Sequence, residues 1–409
     1  MSECNGNCAT CNSSTLFDYG TRKTFTAYPP DFCFPTNAVL NLTNECTHRC
    51  KMCFVDFNPR RMSFEVADAA VQFVINNCKE VEKYGDKKNP SIIFFGGEPL
   101  LEYDSIIVPL IHKYGKQITW AITTNGLLLD EDKIDFFRQN EVNILMSFDG
   151  DKITQNLQRP LKNGQGSFET NVKNIPYYVL RYPHSEMRAT VTKESIPYFY
   201  ENFLFAEKMG FYSCDFVMDS RVEIEYTEQD KRNLMDQMDK IATHIITKLI
   251  LGHEDVIQFN TLIKAFTTLD IISKNPSFNN EVYRCGTGIT SVGVGTDGKL
   301  YPCQEESSTL SDDIGTVFTG IDKDKHWQHV KTYMGAIDFL GRHKEVNLFN
   351  LFLLNQICPN RLLQGYDIGQ GVEIMSAALF NSALRLLQNH SKSPIPRVYK
   401  YFYEGGRRD

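Results

Sequence analysis

Cys46-Thr-His-Arg-Cys50-Lys-Met-Cys53-Phe54 follows directly on the apolar run Ala38-Val-Leu-Asn-Leu42, which reads as a short buried strand. Thiols spaced four and three residues apart wrap a short loop around one inorganic centre. Their number is informative. A closed [4Fe-4S] cluster takes four cysteines and a structural zinc ion four ligands, so a set of three leaves one metal position open for chemistry. A structural zinc loop or a lone cluster is the bland alternative for the same residues.

The chain around this loop has 409 residues, enough for two or three domains or for one barrel with an appendage. Its hydrophobic content of 42% and charged content of 23% are ordinary for a globular protein. A net charge of −7 argues against a general nucleic-acid or anionic-membrane surface. No apolar run reaches bilayer length, and Met-Ser-Glu-Cys is not a secretory n-region. The expectation is a cytoplasmic protein with no nucleic-acid and no membrane partner. Twelve cysteines without an export signal point to metal ligation rather than disulfides. They fall into Cys4, Cys8 and Cys11 with Cys33, the central trio, and Cys285, Cys303 and Cys358, while Cys78 and Cys214 stand apart.

Residues 1–36 read as a cysteine-containing lead-in rich in Asn, Gly, Ser and Thr. From 37 to 220, strands and helices alternate. Ser63 caps a helix whose apolar positions Ala67, Ala70, Val71, Val74, Cys78 and Val81 follow helical spacing, which places Cys78 in the core. Ser91-Ile-Ile-Phe-Phe95 is an apolar strand ending in Gly96-Gly-Glu-Pro99. Further strands end in Thr124-Asn125-Gly126 and in Ser147-Phe-Asp149-Gly150, and Met187-Arg-Ala-Thr-Val191 and residues 212–218 complete six units. Repeated βα units imply a parallel sheet with right-handed crossovers, either a barrel or an open α/β sheet. The Gly/Asn/Asp-rich motifs all follow strands, on the functional face of such folds.

Residues 221–275 form a helical connector. Within 276–390, Cys285 and Cys303 flank a predicted hairpin that turns at Thr-Asp297-Gly298, and Cys358 follows later. An apolar helix over 375–388 closes that domain, and residues 391–409 form a basic, aromatic tail.

The Cys-x3-Cys-x2-Cys spacing resembles the signature of the radical S-adenosylmethionine (radical SAM) superfamily, and the order of motifs over nearly 200 residues is similar to that family. The resemblance implies a partial (β/α)6 TIM-type barrel in which Cys46, Cys50 and Cys53 hold a [4Fe-4S] cluster. S-adenosylmethionine binds the open iron and is reductively cleaved to a 5′-deoxyadenosyl radical. The backbone at Phe54 meets adenine, and Gly96, Gly97, Glu98 and Pro99 meet the methionine amino group, the glycines for close approach and Glu98 as a carboxylate for the ammonium. Asn125, Ser147 and Asp149 approach the ribose and carboxylate. Arg188 either pairs the carboxylate of S-adenosylmethionine or makes a structural ion pair.

Cys285-x12-Gly298-x4-Cys303 looks like the opening of the SPASM and twitch domains, which hold auxiliary iron–sulfur clusters. With Cys358 the thiols suffice for one auxiliary cluster, with zinc as the alternative metal. The fourth ligand is a substrate, water, a non-cysteine side chain or a thiol of the N-terminal group. The motifs are most similar to sulfatase-maturing enzymes and ribosomal-peptide (RiPP) maturases, which implies oxidative modification of a peptide by a thioether or carbon–carbon crosslink. Such an enzyme draws on a reducing donor such as flavodoxin or ferredoxin. Gln304 stands where sulfatase maturases carry an acidic base, and a 36-residue lead-in is short for a leader-recognition domain. A twitch-type dehydrogenase or epimerase of a small sugar or aminocyclitol is the second enzymatic reading. A non-catalytic iron–sulfur or zinc-binding protein is the reading of another class, and residues 96–99 argue against it.

Overall fold

The computed structural model describes residues 33–219, 221, 223–274, 286, 288–309, 312–331, 370–392 and 396–403. Its strands are β1 (Asn37–Thr43), β2 (Ser91–Gly96), β3 (Thr119–Thr124), β4 (Asn143–Ser147), β5 (Glu186–Val191), β6 (Ser213–Met218), β7 (Gln258–Phe259), β8 (Ser291–Val294), β9 (Lys299–Tyr301), β10 (Gly315–Thr316) and β11 (Gly320–Ile321). The chain divides into two compact units, the first comprising Met1–Ser147, Arg159–His184 and Tyr283–Lys331, the second Phe148–Gln158, Ser185–Val282 and Thr332–Asp409.

In the first unit the strands run in the order β11-β10-β9-β8-β1-β2-β3-β4, with β1 to β4 all parallel. Both faces of these strands are apolar, as a parallel sheet covered on two sides requires. Val39, Ile93 and Ala121 lie in register across one face and form a core cluster with Phe95 packed on it. On the other face the Phe94 and Trp120 rings stack at 5.4 Å. The helix Phe64–Glu82 begins where Ser63 Oγ accepts the Val66 N–H, and it buries the expected stripe together with Phe73 and Cys78.

The hairpin of β8 and β9 forms as expected, with Gly293 opposite Tyr301 and Gly298 at φ +80 in the turn. β8 pairs in parallel with β1, Asn37 opposite Ser291 and Leu40 opposite Val294, so the hairpin extends the first sheet. The short helix Gln304–Thr309 that follows offers Ser307 O to Asn41 Nδ2 and Ser308 O to Asn44 Nδ2 and Arg60 Nη2.

In the second unit β5, β6 and β7 are parallel neighbours. Phe216 packs against Phe199 and Phe259. The expected connector is two helices, Glu228–Leu251 and Asn260–Lys274, with β7 between them. The closing helix runs from Gln370 to Lys392. The tail, whose basic and aromatic composition suits packing and binding alike, packs in part. Pro396–Tyr403 is helical, and the buried Tyr401 hydroxyl donates to Ile257 O and accepts from Phe259 N–H. No helix among the described residues is long and apolar enough to cross a membrane. Cys4, Cys8, Cys11, Cys285 and Cys358 lie outside the described residues.

Candidate active site at the strand ends

β1 delivers the chain into the cysteine loop at its C-terminal end, and Cys46, Cys50 and Cys53 are all half-buried there. The Cys53 N–H returns to Cys50 O at 3.2 Å and tightens the second spacing. Cys46 Sγ accepts from the His48 N–H at 3.4 Å and from Asn125 Nδ2 at 3.6 Å. Burial pushes the Cys46 thiol up to about 12, with the Glu98 carboxylate adding to the effect. Burial also raises Cys53, against the opposing pull of the Val55 N–H, Arg159 and Arg49. These thiols keep their protons until a cation replaces them, so metal loading releases protons.

The donor set fits an iron–sulfur cluster. Among the described residues no three His, Cys, Asp or Glu side chains converge as around a single ion. A four-iron cube instead takes each thiolate on a different iron, and N–H groups aimed at sulfur tune it. Three soft thiols on one loop with such donors suit that group.

The loop is braced by residues that sequence reasoning misses. His48 is fully enclosed, with Nδ1 3.0 Å from Thr47 Oγ1 and Nε2 3.3 Å from Asn171 Nδ2. Asn171 Nδ2 also donates to Asn125 O at 2.7 Å, which fixes the amide orientation. Nε2 is therefore the acceptor and the ring proton sits on Nδ1. Burial lowers His48 to about 4, with Arg159 adding to it, so the ring is neutral. A polar residue inside a motif carries no sequence signal of this kind, because its partner lies 123 positions away.

Residues 96–99 meet the loop directly. A Cβ on Gly96 would sit 2.4 Å from Thr43 O, and one on Gly97 would sit 2.3 Å from Glu45 O. The glycines thus let the end of β2 touch the end of β1, where the sequence reading has them admit a ligand. The Glu98 carboxylate is buried inside the chain, accepting from Thr124 Oγ1 at 2.7 Å, Asn125 N–H at 2.9 Å and Leu100 N–H at 3.1 Å. Burial pushes it up to about 7 against those three donors. Glu98 therefore ties the second motif to the third. Pro99 opens the turn Pro99–Glu102.

Asn125 turns its side chain toward the cysteine loop, with Nδ2 donating to Thr47 Oγ1 at 3.1 Å. Phe54 is exposed and lies parallel to Phe95, with 6.1 Å between ring centroids and 9° between planes. Ser147 ends β4 half-buried.

In the second unit, Asp149 and Arg188 are held by internal partners. The enclosed Asp149 carboxylate accepts from Gln158 Nε2 at 2.7 Å and Thr190 N–H at 2.9 Å. Arg188 pairs with the buried Asp215, which also accepts from Lys264 at 2.8 Å and Thr261 at 2.7 Å. Arg188 and Lys264 hold the Asp215 carboxyl well below its usual range despite burial.

This fold, with a three-thiol loop after its first strand, defines a class. Residues 40–185 match the Radical SAM superfamily, and the chain carries a radical SAM domain. Among curated relatives, the uncharacterized protein MJ0907 of Methanocaldococcus jannaschii is 29% identical over 185 residues, 44% of this chain and 60% of that protein. The cysteine-type anaerobic sulfatase-maturating enzyme of Clostridium novyi is 25% identical over 192 residues, 43% of this chain and 48% of the relative. The match thus spans about half the length of these relatives. Among solved structures, native anSMEcpe with bound AdoMet superposes with a TM-score of 0.65 at 18% identity, over 87% of this chain and 99% of that one. At that identity the likeness concerns the fold.

Proposed function

We propose that the protein is an enzyme that holds a [4Fe-4S] cluster on Cys46, Cys50 and Cys53, cleaves S-adenosylmethionine reductively and oxidatively modifies a peptide by a thioether or carbon–carbon crosslink. The observation that carries this reading is the half-buried three-thiol loop with two N–H donors on Cys46 Sγ, locked to residues 96–99 and 124–126. When bound, the cluster supplies the electron that splits S-adenosylmethionine into methionine and the hydrogen-abstracting 5′-deoxyadenosyl radical. An external donor such as flavodoxin or ferredoxin provides that electron.

The chain's part is to bind, orient and exclude water. The exposed Phe54 on Phe95 offers an aromatic platform for adenine, and the main chain of residues 96–99 offers carbonyls for the ammonium. Asn125 and Ser147 border the same strand ends. Cys285, Cys303 and Cys358 hold an auxiliary cluster that takes up an electron from the product or orients the substrate. The peptide class is supported by the sulfatase-maturating relative, whose name gives it a protein substrate.

Anaerobically reconstituted and reduced protein should release 5′-deoxyadenosine from S-adenosylmethionine, and Cys50→Ala should abolish release. Undiminished release from the triple alanine variant of Cys46, Cys50 and Cys53 sinks the reading. A candidate peptide encoded beside the gene should lose two hydrogens per crosslink by mass spectrometry.

A further inference from the structure

The interval between the first two cysteines is paired, main chain to main chain, with a segment that carries no thiol. Arg49 donates its N–H to Pro160 O and Lys162 donates to Thr47 O, each at 2.8 Å. Between these bonds His48 and Leu161 stand opposite each other as an antiparallel bridge. The segment then turns back at once. Gly164 N–H reaches Leu161 O and Leu161 N–H reaches Gln165 O, both at 2.8 Å, with Gly164 left-handed at φ +82. The edge offered to the cysteine loop is thus shaped by its own turn and needs no metal to form.

The same stretch of chain reaches the loop a second time, through a side chain. Asn171 ends the short helix Phe168–Asn171 and is enclosed. Its Nδ2 lies 3.3 Å from His48 Nε2 and 2.7 Å from Asn125 O, while its Oδ1 meets no donor among the described residues. A buried acceptor without a donor costs stability, so the N–H groups are what Asn171 is placed for.

Those N–H groups close a ring around one sulfur. Asn171 donates to His48 and to the Asn125 main chain, His48 Nδ1 donates to Thr47 Oγ1, and Asn125 Nδ2 donates to that same oxygen. The second hydrogen of Asn125 Nδ2 is left for Cys46 Sγ, 3.6 Å away. Asn125 Oδ1 in turn accepts from Leu127 N–H at 3.0 Å. The Asn125 amide is therefore fixed at both ends, and its direction toward sulfur is set by residues that do not touch the thiol. Hydrogen bonds to sulfur favour the more negative, reduced state of an iron–sulfur cluster.

We propose that residues 160–171 clamp the cysteine loop, the 160–162 edge setting its shape before a cluster is bound, and that Asn171 is a positioning residue which, through His48 and Asn125, keeps an N–H on Cys46 Sγ and raises the reduction potential of the cluster on Cys46, Cys50 and Cys53. The part concerning the potential rests on the cluster reading above. The part concerning the loop's shape stands on the metal-free chain.

The test uses anaerobically reconstituted full-length protein without S-adenosylmethionine. The EPR signal followed is the one that the triple alanine variant of Cys46, Cys50 and Cys53 lacks. If the unsubstituted protein shows no such signal, the cluster reading falls and the claim about the potential falls with it. With the signal present, Asn171→Leu, which removes both N–H groups at similar volume, should keep the cluster and lower the midpoint at which the signal appears. A midpoint equal to that of the unsubstituted protein overturns the positioning role. Should Asn171→Leu fail to fold, His48→Phe opens the same ring one residue further on and should lower the midpoint likewise, and an equal midpoint there overturns the ring. The clamp is read separately by hydrogen exchange on metal-free unsubstituted protein. The Arg49 and Lys162 amides should exchange at least about tenfold more slowly than in an unfolded chain. Exchange at the unfolded rate overturns the preformed edge.

Discussion

Glu98→Ala is expected to loosen the turns at 96–102 and 124–127 together. In the native chain one carboxylate oxygen accepts from Leu100 N–H and Thr124 Oγ1, and the other from Asn125 N–H. The side chain is 0% exposed, so water does not replace it without rearrangement. The Thr124 hydroxyl is free to rotate, whereas the two amides have fixed directions. Two buried N–H groups without acceptors cost about 1–3 kcal/mol each, hence about 2–6 kcal/mol together. At 1.4 kcal/mol per decade, local opening should rise at least roughly 30-fold. Amide hydrogen exchange, followed by mass spectrometry on the apo protein under anoxic reducing buffer, reads this directly at Leu100 and Asn125. Glu98→Gln should fall between the two, because its amide keeps one oxygen but turns an NH2 toward one of the N–H groups. Exchange at both amides within twofold of the parent protein in Glu98→Ala would refute the tying role.

Gly97→Ala should lower stability by about 2 kcal/mol or more and impair cluster loading on the central trio, since its Cβ would sit 2.3 Å from a backbone oxygen that cannot swing away. Melting curves and iron counts check this, and normal values for both would count against the close approach of β1 and β2. Glu186→Gln should flatten the pH dependence of stability. Burial and the Asp215 charge push Glu186 up to about 7, against an unfolded value of about 4.3, so its contribution is full below the latter and fades as pH rises through the former. Melting temperatures between pH 5 and 7.5 should fall less steeply in the variant, and equal slopes would contradict the assignment. Tyr401→Phe should cost about 1–3 kcal/mol by stranding the Phe259 N–H, which a denaturant titration measures; an unchanged midpoint would show that the hydroxyl contributes nothing.

The βα repeat was legible because its signals are local. Apolar runs such as Ser91–Gly96 end in glycine motifs, and Ser63 and Asp130 each accept an N–H from the first turn of the helix they precede. Between 168 and 181 the chain forms two short helices, Phe168–Asn171 and Ile175–Arg181, parted by a 3-10 turn at Val172–Asn174 just before Pro176, a break that the proline itself signals locally. Long-range pairing left no such trace. Nothing within Ser291–Val294 announces β1 as its neighbour, because parallel partners share no turn. The site shows the same limit. The cysteines and glycines stood out by spacing, whereas the fates of Glu98, Asp149 and Arg188 depend on donors and acids 26 to 41 residues away.

The pairing of β1 with β8 also sets a timetable. Asn37 and Thr290 are 253 residues apart, so at about 5–20 residues per second β1 waits roughly 10–50 s on the ribosome for its outer neighbour. During that interval an apolar strand edge stands open beside three oxidisable thiols, a site for mispairing with other chains. A fragment ending near residue 220 would keep every residue of the first six strands and still leave that edge bare. That edge is covered only once Ser291–Val294 has been made and has paired with β1.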